Sequence, residues 1–392
     1  MPRIGVNYVP SDGWWYSWVD WDRVSIDADL RAIKALGSDH IRIHCLWPLF
    51  QPNPTWVSER MLARLVELLD SAEGAGLDVI ITVFNGWLSG FDFRPTWLVP
   101  TANIFTDDAA RRAEKLLLDR LIRRVHAHPA FLGIDIGNEP NVLSTEKVNP
   151  TSGTQGADWS TDLLEFCETL APGKVHSVGV DHNPWLTDET TFDRFRLGEI
   201  GAASAVHSWS YFTGALQRYG DSGTGTIHLA EFMLELARAF HTDSSRPVWL
   251  QEVGVSHTWL DTIDVPTFVE RTLATLPSVS NLWGVTWWCS HDVSRALEGF
   301  DDLEYDLGLL TVTNDVKPMG AAFRDFVEKT AWDAPQSRTT GLLLPAGTTP
   351  DLQFADKFFS LIDEGIKPAI VVEQFSSSAH LDLRGITQLV HV

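Results

Sequence analysis

Short runs rich in β-branched and aromatic residues alternate along the chain with segments whose apolar residues recur three and four apart, the signatures of strand and amphipathic helix. The strand-like runs are IGVNYVP from Ile4, HIRIHCLW from His40, DVIITVFNGW from Asp78 and FLGIDIGNEPN from Phe131. They continue with KVHSVGVDH from Lys174, AASAVHSWSYF from Ala202, PVWLQEVGVS from Pro247 and LWGVTWWCSHD from Leu282. Between them, residues 58–73 place Met61, Leu62, Leu65, Leu68 and Leu69 on one stripe. Residues 108–127 do the same with Leu117, Leu118, Leu121, Ile122 and Val125. Gly37 and Gly76 stand where two helices should end. Several strand runs are apolar almost throughout, as parallel strands covered on both faces must be. Eight such strand–helix units predict an α/β fold closed into a (β/α)8 barrel. An open doubly wound sheet is the weaker alternative, because no GxGxxG follows the first strand.

The barrel pattern ends with a helix at 319–330, so residues 1–330 form the expected barrel domain. AWDAPQSRTTG reads as a linker. Residues 341–392 carry strand-like GLLLP, helical FADKFFSLIDEG and strand-like PAIVVE, and residues 331–392 are therefore expected to be a linker and a small C-terminal α/β appendage. Two polar, glycine-rich insertions, 142–158 and 213–226, follow the fourth and sixth strands, where a barrel puts its catalytic face.

Charge and composition narrow the function. With 30 Lys and Arg against 52 Asp and Glu the net charge is −22, and no basic run exists to displace phosphate counterions, so nucleic acid is not an expected partner. No apolar stretch is long enough to span a bilayer, so no membrane is expected either. Met1 leads almost at once into the first strand, without a leader pattern. The three cysteines, Cys45, Cys167 and Cys289, lack metal-site spacing and read as buried thiols, which points to a cytoplasmic protein. The abnormal figure is 17 tryptophans, with Trp14, Trp15, Trp18 and Trp21 in one loop. Indole is a good core filler, yet its flat face also stacks on sugar C–H groups, and the excess tilts the reading toward carbohydrate.

Barrel enzymes carry their working residues at the C-terminal ends of strands. The fourth strand ends with Asn138 and Glu139, and the seventh with Glu252, roughly across the mouth. A glutamate ending an apolar strand is costly to bury unless it faces a cleft or a partner. Two opposed carboxylates are the apparatus of glycoside hydrolysis, and a separation of about 5–5.5 Å gives retention at the anomeric carbon. His44, Asn85, Trp87, His182, His291 and Asp292 also sit at strand ends and could hold sugar hydroxyls, whereas His126 and His128 at a helix end are assigned no function. Imidazoles near strand ends (His44, His182, His207, His257) leave a metal-dependent barrel hydrolase as a rival, although the HxH such enzymes carry on the first strand is missing. A non-catalytic sugar-binding barrel is a second rival, disfavoured by the two glutamates.

Asn-Glu-Pro at 138–140, LQEVG around Glu252 and Arg42 in IRIH resemble clan A of the glycoside hydrolases, family 5 most of all, over about residues 4–330. The resemblance implies a retaining two-carboxylate mechanism without metal or organic cofactor. By that likeness Glu139 is the acid/base, Glu252 the nucleophile, Asn138 the partner of the sugar 2-hydroxyl and Arg42 the orienter of the nucleophile. Glu139 should then carry a raised pKa. The family usually shows His-x-Tyr at the end of strand six, its Tyr bonding the nucleophile. Here HSWSYF offers His207, puts Trp209 in the tyrosine's place and delays Tyr211 by two residues. The family also expects a tryptophan flooring the sugar site after strand eight. Trp287 and Trp288 are the candidates, and alternation admits one, with Trp288 favoured. The general layout resembles bacterial intracellular β-mannosidases that cleave mannosyl-β-1,4-N-acetylglucosamine from N-glycan cores, so an exo-β-mannosidase acting on an oligosaccharide is expected. The runner-up is an endo-β-1,4-glucanase or β-mannanase, and the appendage is a natural contact for a possible homo-oligomer.

Overall fold

Each of the eight apolar runs forms a parallel strand in the computed structural model, which describes residues 1–98, 102–144, 149–189, 191–332 and 338–391. The strands are β1 (Arg3–Asn7), β2 (His40–His44), β3 (Asp78–Phe84), β4 (Phe131–Asn138), β5 (Ser177–Gly179), β6 (Ser204–Ser208), β7 (Val248–Val253) and β8 (Leu282–Trp287). They lie in the order β5-β4-β3-β2-β1-β8-β7-β6. No ladder joins β5 to β6 among the described residues, but the Ala202 amide donates to the His176 carbonyl across that seam at 2.7 Å. The result is a nearly closed (β/α)8 barrel, as the alternation predicts.

The helices begin and end where local chemistry dictates. The segment expected at 58–73 is a helix over Glu59–Ala75: the Ser58 hydroxyl caps its first turn by accepting from the Met61 amide, and Gly76 at φ 74° ends it in the left-handed region. Asp107 caps the helix Asp108–Val125 through the Ala109 and Ala110 amides. The last barrel helix, Pro318–Lys329, starts with proline, whose missing N–H is not needed there.

Strand alternation sorts the barrel's two faces. Along β2, Ile41 and Ile43 join the apolar layer under the helices, while His40, Arg42 and His44 belong to the other, inward set. The interior is unusually polar: Asn7, His40, Arg42, Thr82, Asp135, His207, Gln251 and Thr286 are all fully buried. Buried polar groups persist only when satisfied. His40 and Trp249 accordingly meet on the Thr286 hydroxyl, both at 2.8 Å. Gly179 on β5 makes room for this network, since a Cβ there would lie 2.1 Å from Gln251 Oε1. Cys45, Cys167 and Cys289 are free and buried.

The C-terminal residues form a three-stranded parallel sheet, β9 (Thr340–Leu344), β10 (Ala369–Val372) and β11 (Gln388–Val390), with β9 central and the helix Leu352–Asp363 between β9 and β10. That helix packs Phe358 and Phe359 on Phe232 of the barrel, with ring centroids 5.3 and 5.6 Å apart. Beside it, the buried Arg338 pairs with Glu231 and Glu235 of the barrel helix Leu229–Ala239. The insertion at 213–226, expected on the catalytic face for a functional reason, instead reaches this appendage. Arg218 pairs with Asp356, Tyr219 donates to the Leu352 carbonyl at 2.9 Å and Thr224 to Asp363 at 2.6 Å. Residues 145–148 of the other insertion and 333–337 of the linker lie outside the described residues.

Candidate active site

Arg42, near the end of β2, is the hub of the barrel mouth. Its Nη1 donates to Asn7 Oδ1 at 2.8 Å and to Glu252 Oε1 at 2.7 Å. Its Nη2 donates to Asp135 Oδ2 at 2.7 Å and to Asn138 Oδ1 at 2.8 Å, and Nε reaches Asp135 at 2.9 Å. Burial alone would lower the guanidinium pKa, but the charges of Asp135 and Glu252 raise it. The guanidinium therefore stays charged and fixes four side chains from three strands, β1, β4 and β7. Asp135 also accepts from the Thr82 hydroxyl at 3.0 Å and from the Gly179 amide at 3.0 Å. Its importance is not anticipated from the sequence, although an aspartate inside the apolar run GIDIG is the signal that could have marked it.

Glu139 follows β4 at φ 46°, a left-handed conformation that is rare for a side chain of this kind and is fastened by its amide donating to the Gly179 carbonyl at 2.7 Å. One oxygen of Glu139, one of Glu252 and a ring nitrogen of His207 all lie within 4.8 Å of one another. His207 Nδ1 is 2.8 Å from Glu139 Oε1 and 3.4 Å from Glu252 Oε2, while its Nε2 meets Gln251 Oε1 at 2.9 Å. Burial and the neighbouring Glu252 charge push the Glu139 pKa up to about 7, even though His207 pulls it back. His207 is raised in turn: burial works against its charge, but Glu252 and Glu139 more than offset that. The second oxygen of Glu252 accepts from the Trp209 indole N–H at 3.3 Å. Trp209 thus fills with an indole the place where the family resemblance leads one to look for a tyrosine hydroxyl.

Asn138, Glu139 and Glu252 face a cavity of about 400 Å³ that is also lined by Trp87, Trp209 and Trp288. One side of it is walled by loops that follow β1, β3 and β8, and the wall is held by aromatic packing. Trp14 and Phe91 both pack on Phe300, at 5.0 and 4.9 Å between centroids, and Phe93 and Tyr305 extend the cluster. This wall presents Ser89, Gly90, Asp301, Leu303 and Glu304 to the cavity. Across the ring the loops after β4, β5 and β6 contribute Val142, Asp181, His182 and Phe212.

Other candidates are placed elsewhere. Trp287 is fully buried and packs toward Phe323 of the last barrel helix, so Trp288 alone of that pair reaches the cavity. Asn85 accepts from the Trp47 amide at 3.2 Å and steadies a loop, and Asp292 is taken up by Lys317 at 2.6 Å and the Gly308 amide at 2.9 Å. Tyr211 is half exposed and stacks on Trp259, centroids 4.9 Å apart, away from Glu252. His44 lies beneath the floor, edge-on to Trp15 and Trp288 at 5.3 and 5.8 Å. Burial, Arg42 and His207 hold its pKa well below the usual value, so it is a neutral support. His291 is buried against the Val9 carbonyl and Asn314. The tryptophan-rich loop is mainly core: Trp14, Trp15 and Trp18 are buried, Trp18 stacks on Trp21 and donates to the His44 carbonyl at 2.8 Å. Of the four histidines in the metal reading, only His207 joins an ion-sized group among the described residues, and its companions there are Glu139 and Glu252.

The comparisons agree with this architecture. The cellulase model of glycosyl hydrolase family 5 matches residues 5–173. A GH5_18 structure from Streptomyces cattleya in complex with Manβ1-4GlcNAc is 38% identical, covering 100% of this chain and 99% of that one, with a TM-score of 0.95. A GH5_18 structure from Bifidobacterium longum subsp. longum is 35% identical over 100% and 97% of the two chains, with a TM-score of 0.93. An exo-β-1,4-mannosidase from Opitutaceae bacterium strain TAV5, 23% identical over 95% and 70%, shares the fold at a TM-score of 0.80. No curated protein matches the sequence. With full-length relatives at this identity and two carboxyl groups facing one cavity, the chain belongs to glycoside hydrolase family 5 and is a retaining glycosidase acting on a carbohydrate substrate.

Proposed function

We propose that this enzyme is an exo-acting β-mannosidase that releases terminal mannose from mannosyl-β-1,4-N-acetylglucosamine and similar short oligosaccharides, with Glu252 as nucleophile and Glu139 as acid/base. The observation that carries the reading is the Glu139–His207–Glu252 cluster in a cavity walled off on its β1, β3 and β8 side. Binding of Manβ1-4GlcNAc by a GH5_18 relative supports the choice of sugar.

In the first step Glu252, its two oxygens held by Arg42 and Trp209, attacks the anomeric carbon. Glu139 gives its proton to the glycosidic oxygen, and the C–O bond to the leaving sugar breaks. A Glu139 pKa of about 7 keeps that proton available near neutrality. Once Glu252 is esterified its charge is gone, one cause of the raised Glu139 pKa disappears, and Glu139 becomes the base that takes a proton from water. The water oxygen then attacks the anomeric carbon and frees Glu252. Asn138, held by Arg42 and donating to the Trp87 carbonyl at 3.0 Å, is positioned to meet the sugar 2-hydroxyl. Trp288 is the floor on which the ring stacks.

A pocket that takes one terminal sugar suits soluble oligosaccharides imported into a cytoplasm, such as fragments of N-glycan cores. No helix among the described residues is long and apolar enough to cross a membrane. The test is mannose release from mannosyl-β-1,4-N-acetylglucosamine, with Glu252→Gln assayed in parallel. Release that vanishes in the variant supports the reading. No release, with turnover of β-glucan or mannan oligosaccharides instead, replaces it with the endo-acting alternative.

A further inference from the structure

The double displacement uses two carboxyl groups, and the cavity's walled side adds two more, Asp301 and Glu304, of which Glu304 is the more buried. Glu304 lies on a single 3-10 turn, Asp302–Asp306, in the segment after β8, and it lines the cavity together with Ser89 of the loop after β3. The packing of Phe300 against Trp14 and Phe91 fixes these two loops against each other, so Glu304 and Ser89 are presented by a braced wall. Among the described residues Glu304 has no ion-pair partner, and the charges that act on it, Glu252, Asp301 and Glu139, are all negative. Burial and those charges push its pKa up to about 7, although the Ser89 hydroxyl pulls it back. The Ser89 hydroxyl is buried, makes no hydrogen bond of good geometry within the protein, and is close enough to act on Glu304. A partly buried carboxyl without a cation, whose nearby protein donor is a poorly aligned hydroxyl, keeps acceptor capacity that a ligand's donors can use.

The position of this pair within the cavity indicates which part of the ligand does so. Glu139 must face the glycosidic oxygen, and its neighbours across the ring, Val142, Asp181, His182 and Phe212, therefore surround the leaving sugar. The wall bearing Glu304 is left for the other end of the cleaved sugar. We propose that Glu304, assisted by Ser89, accepts hydrogen bonds from the 4-hydroxyl of the terminal sugar, and so confines the enzyme to chain ends. A sugar extended through that oxygen has no 4-hydroxyl to donate and must place its next ring where the wall stands. This inference rests on the exo-glycosidase reading and adds the residue that enforces it.

The experiment compares 4-nitrophenyl β-mannoside with its 4-deoxy analogue on the wild-type enzyme, Glu304→Gln and Glu304→Ala. Removing either partner of a hydrogen bond to an ionisable group should lower kcat/KM about 10- to 100-fold, mostly through KM. The two changes should not add: on the 4-deoxy substrate the Glu304 variants should fall within about threefold of wild type. Equal losses by the variants on both substrates would overturn the proposal. So would a wild-type enzyme that hydrolyses the 4-deoxy analogue as well as the parent, a comparison that stands even if a variant fails to fold. The first products from β-1,4-mannopentaose separate the two claims. Mannobiose with mannotriose appearing before mannose with mannotetraose would sink the exo reading itself, whereas mannose and mannotetraose first with additive losses would sink only the role of Glu304.

Discussion

Replacing Trp209 with phenylalanine removes the indole N–H from Glu252 and leaves a smaller ring among the same neighbours, Phe212, Trp259 and Trp288. A hydrogen bond to a charged group contributes about 1.5–3 kcal/mol, and at 3.3 Å this one belongs at the low end, about 1.5 kcal/mol. Glu252 keeps its 2.7 Å bond to Arg42, so it stays in place on one oxygen but loses the support of the other. The expected result is a fall in kcat/KM of roughly tenfold, since 1.4 kcal/mol is a factor of ten. The vacated volume of about 40 Å³ should lower stability by about 1 kcal/mol, visible as a small drop in melting temperature. Kinetics on 4-nitrophenyl β-mannoside and thermal melting, run on the same preparations, separate the two effects. An unchanged kcat/KM in a folded Trp209→Phe protein would refute the hydrogen-bonding role and reduce Trp209 to packing. A loss beyond a thousandfold would show that the indole does more than support one oxygen of the nucleophile.

The proton on Glu139 sets the alkaline limb. Because its pKa is raised to about 7, kcat/KM should hold below that pH and fall as pH rises through it, read from a pH–rate profile. Glu139→Gln should abolish cleavage of the disaccharide but spare the first step on aryl mannosides with acidic leaving groups, which need no proton, as a burst of nitrophenol would show. Asp135→Asn leaves the buried Arg42 without one of its two counter-charges, and loss of a buried partner should destabilise the fold by about 3–5 kcal/mol, measured by chemical denaturation. The appendage should loosen in acid: Glu231 has its pKa lowered to about 2 because His228 and Arg338 outweigh the opposing effect of burial. Its stabilising contribution is therefore complete above the ordinary carboxylate range and is lost as pH falls toward 2, so proteolysis within the C-terminal residues should accelerate from pH 5 to pH 3.

The barrel was legible because its signal is repeated: eight apolar runs separated by amphipathic stripes specify the closed architecture whatever any single boundary does. Glu139 and Glu252 stood out for a related reason, since a carboxylate ending an apolar strand has few structural explanations. Arg42 shares that logic, but its partner Asp135 does not lie at a strand end, and only the three-dimensional network shows that it balances the guanidinium. Asn85 and Asp292 are polar residues at strand ends that local loops consume, through the Trp47 amide and Lys317. The tryptophan excess points toward sugar stacking, yet Trp14 and Trp15 build the wall and support His44. Residues 213–226 followed the rule that long loops after strands carry function, but this loop holds the appendage through Arg218 and Thr224. In each case the deciding fact is a contact between residues far apart in sequence, which periodicity does not encode.

The central claim is that Glu252 forms a bond to the sugar while Glu139 moves the proton. The most direct measurement is to incubate the enzyme with a 2-deoxy-2-fluoro-β-mannosyl fluoride, whose electron-poor ring slows breakdown of the intermediate, and to weigh the intact protein and its peptides. The account predicts one added 2-fluoromannosyl unit, carried by the peptide containing Glu252 and absent from Glu252→Gln. An adduct on another residue, or an inactivated enzyme with no covalent sugar, would contradict it.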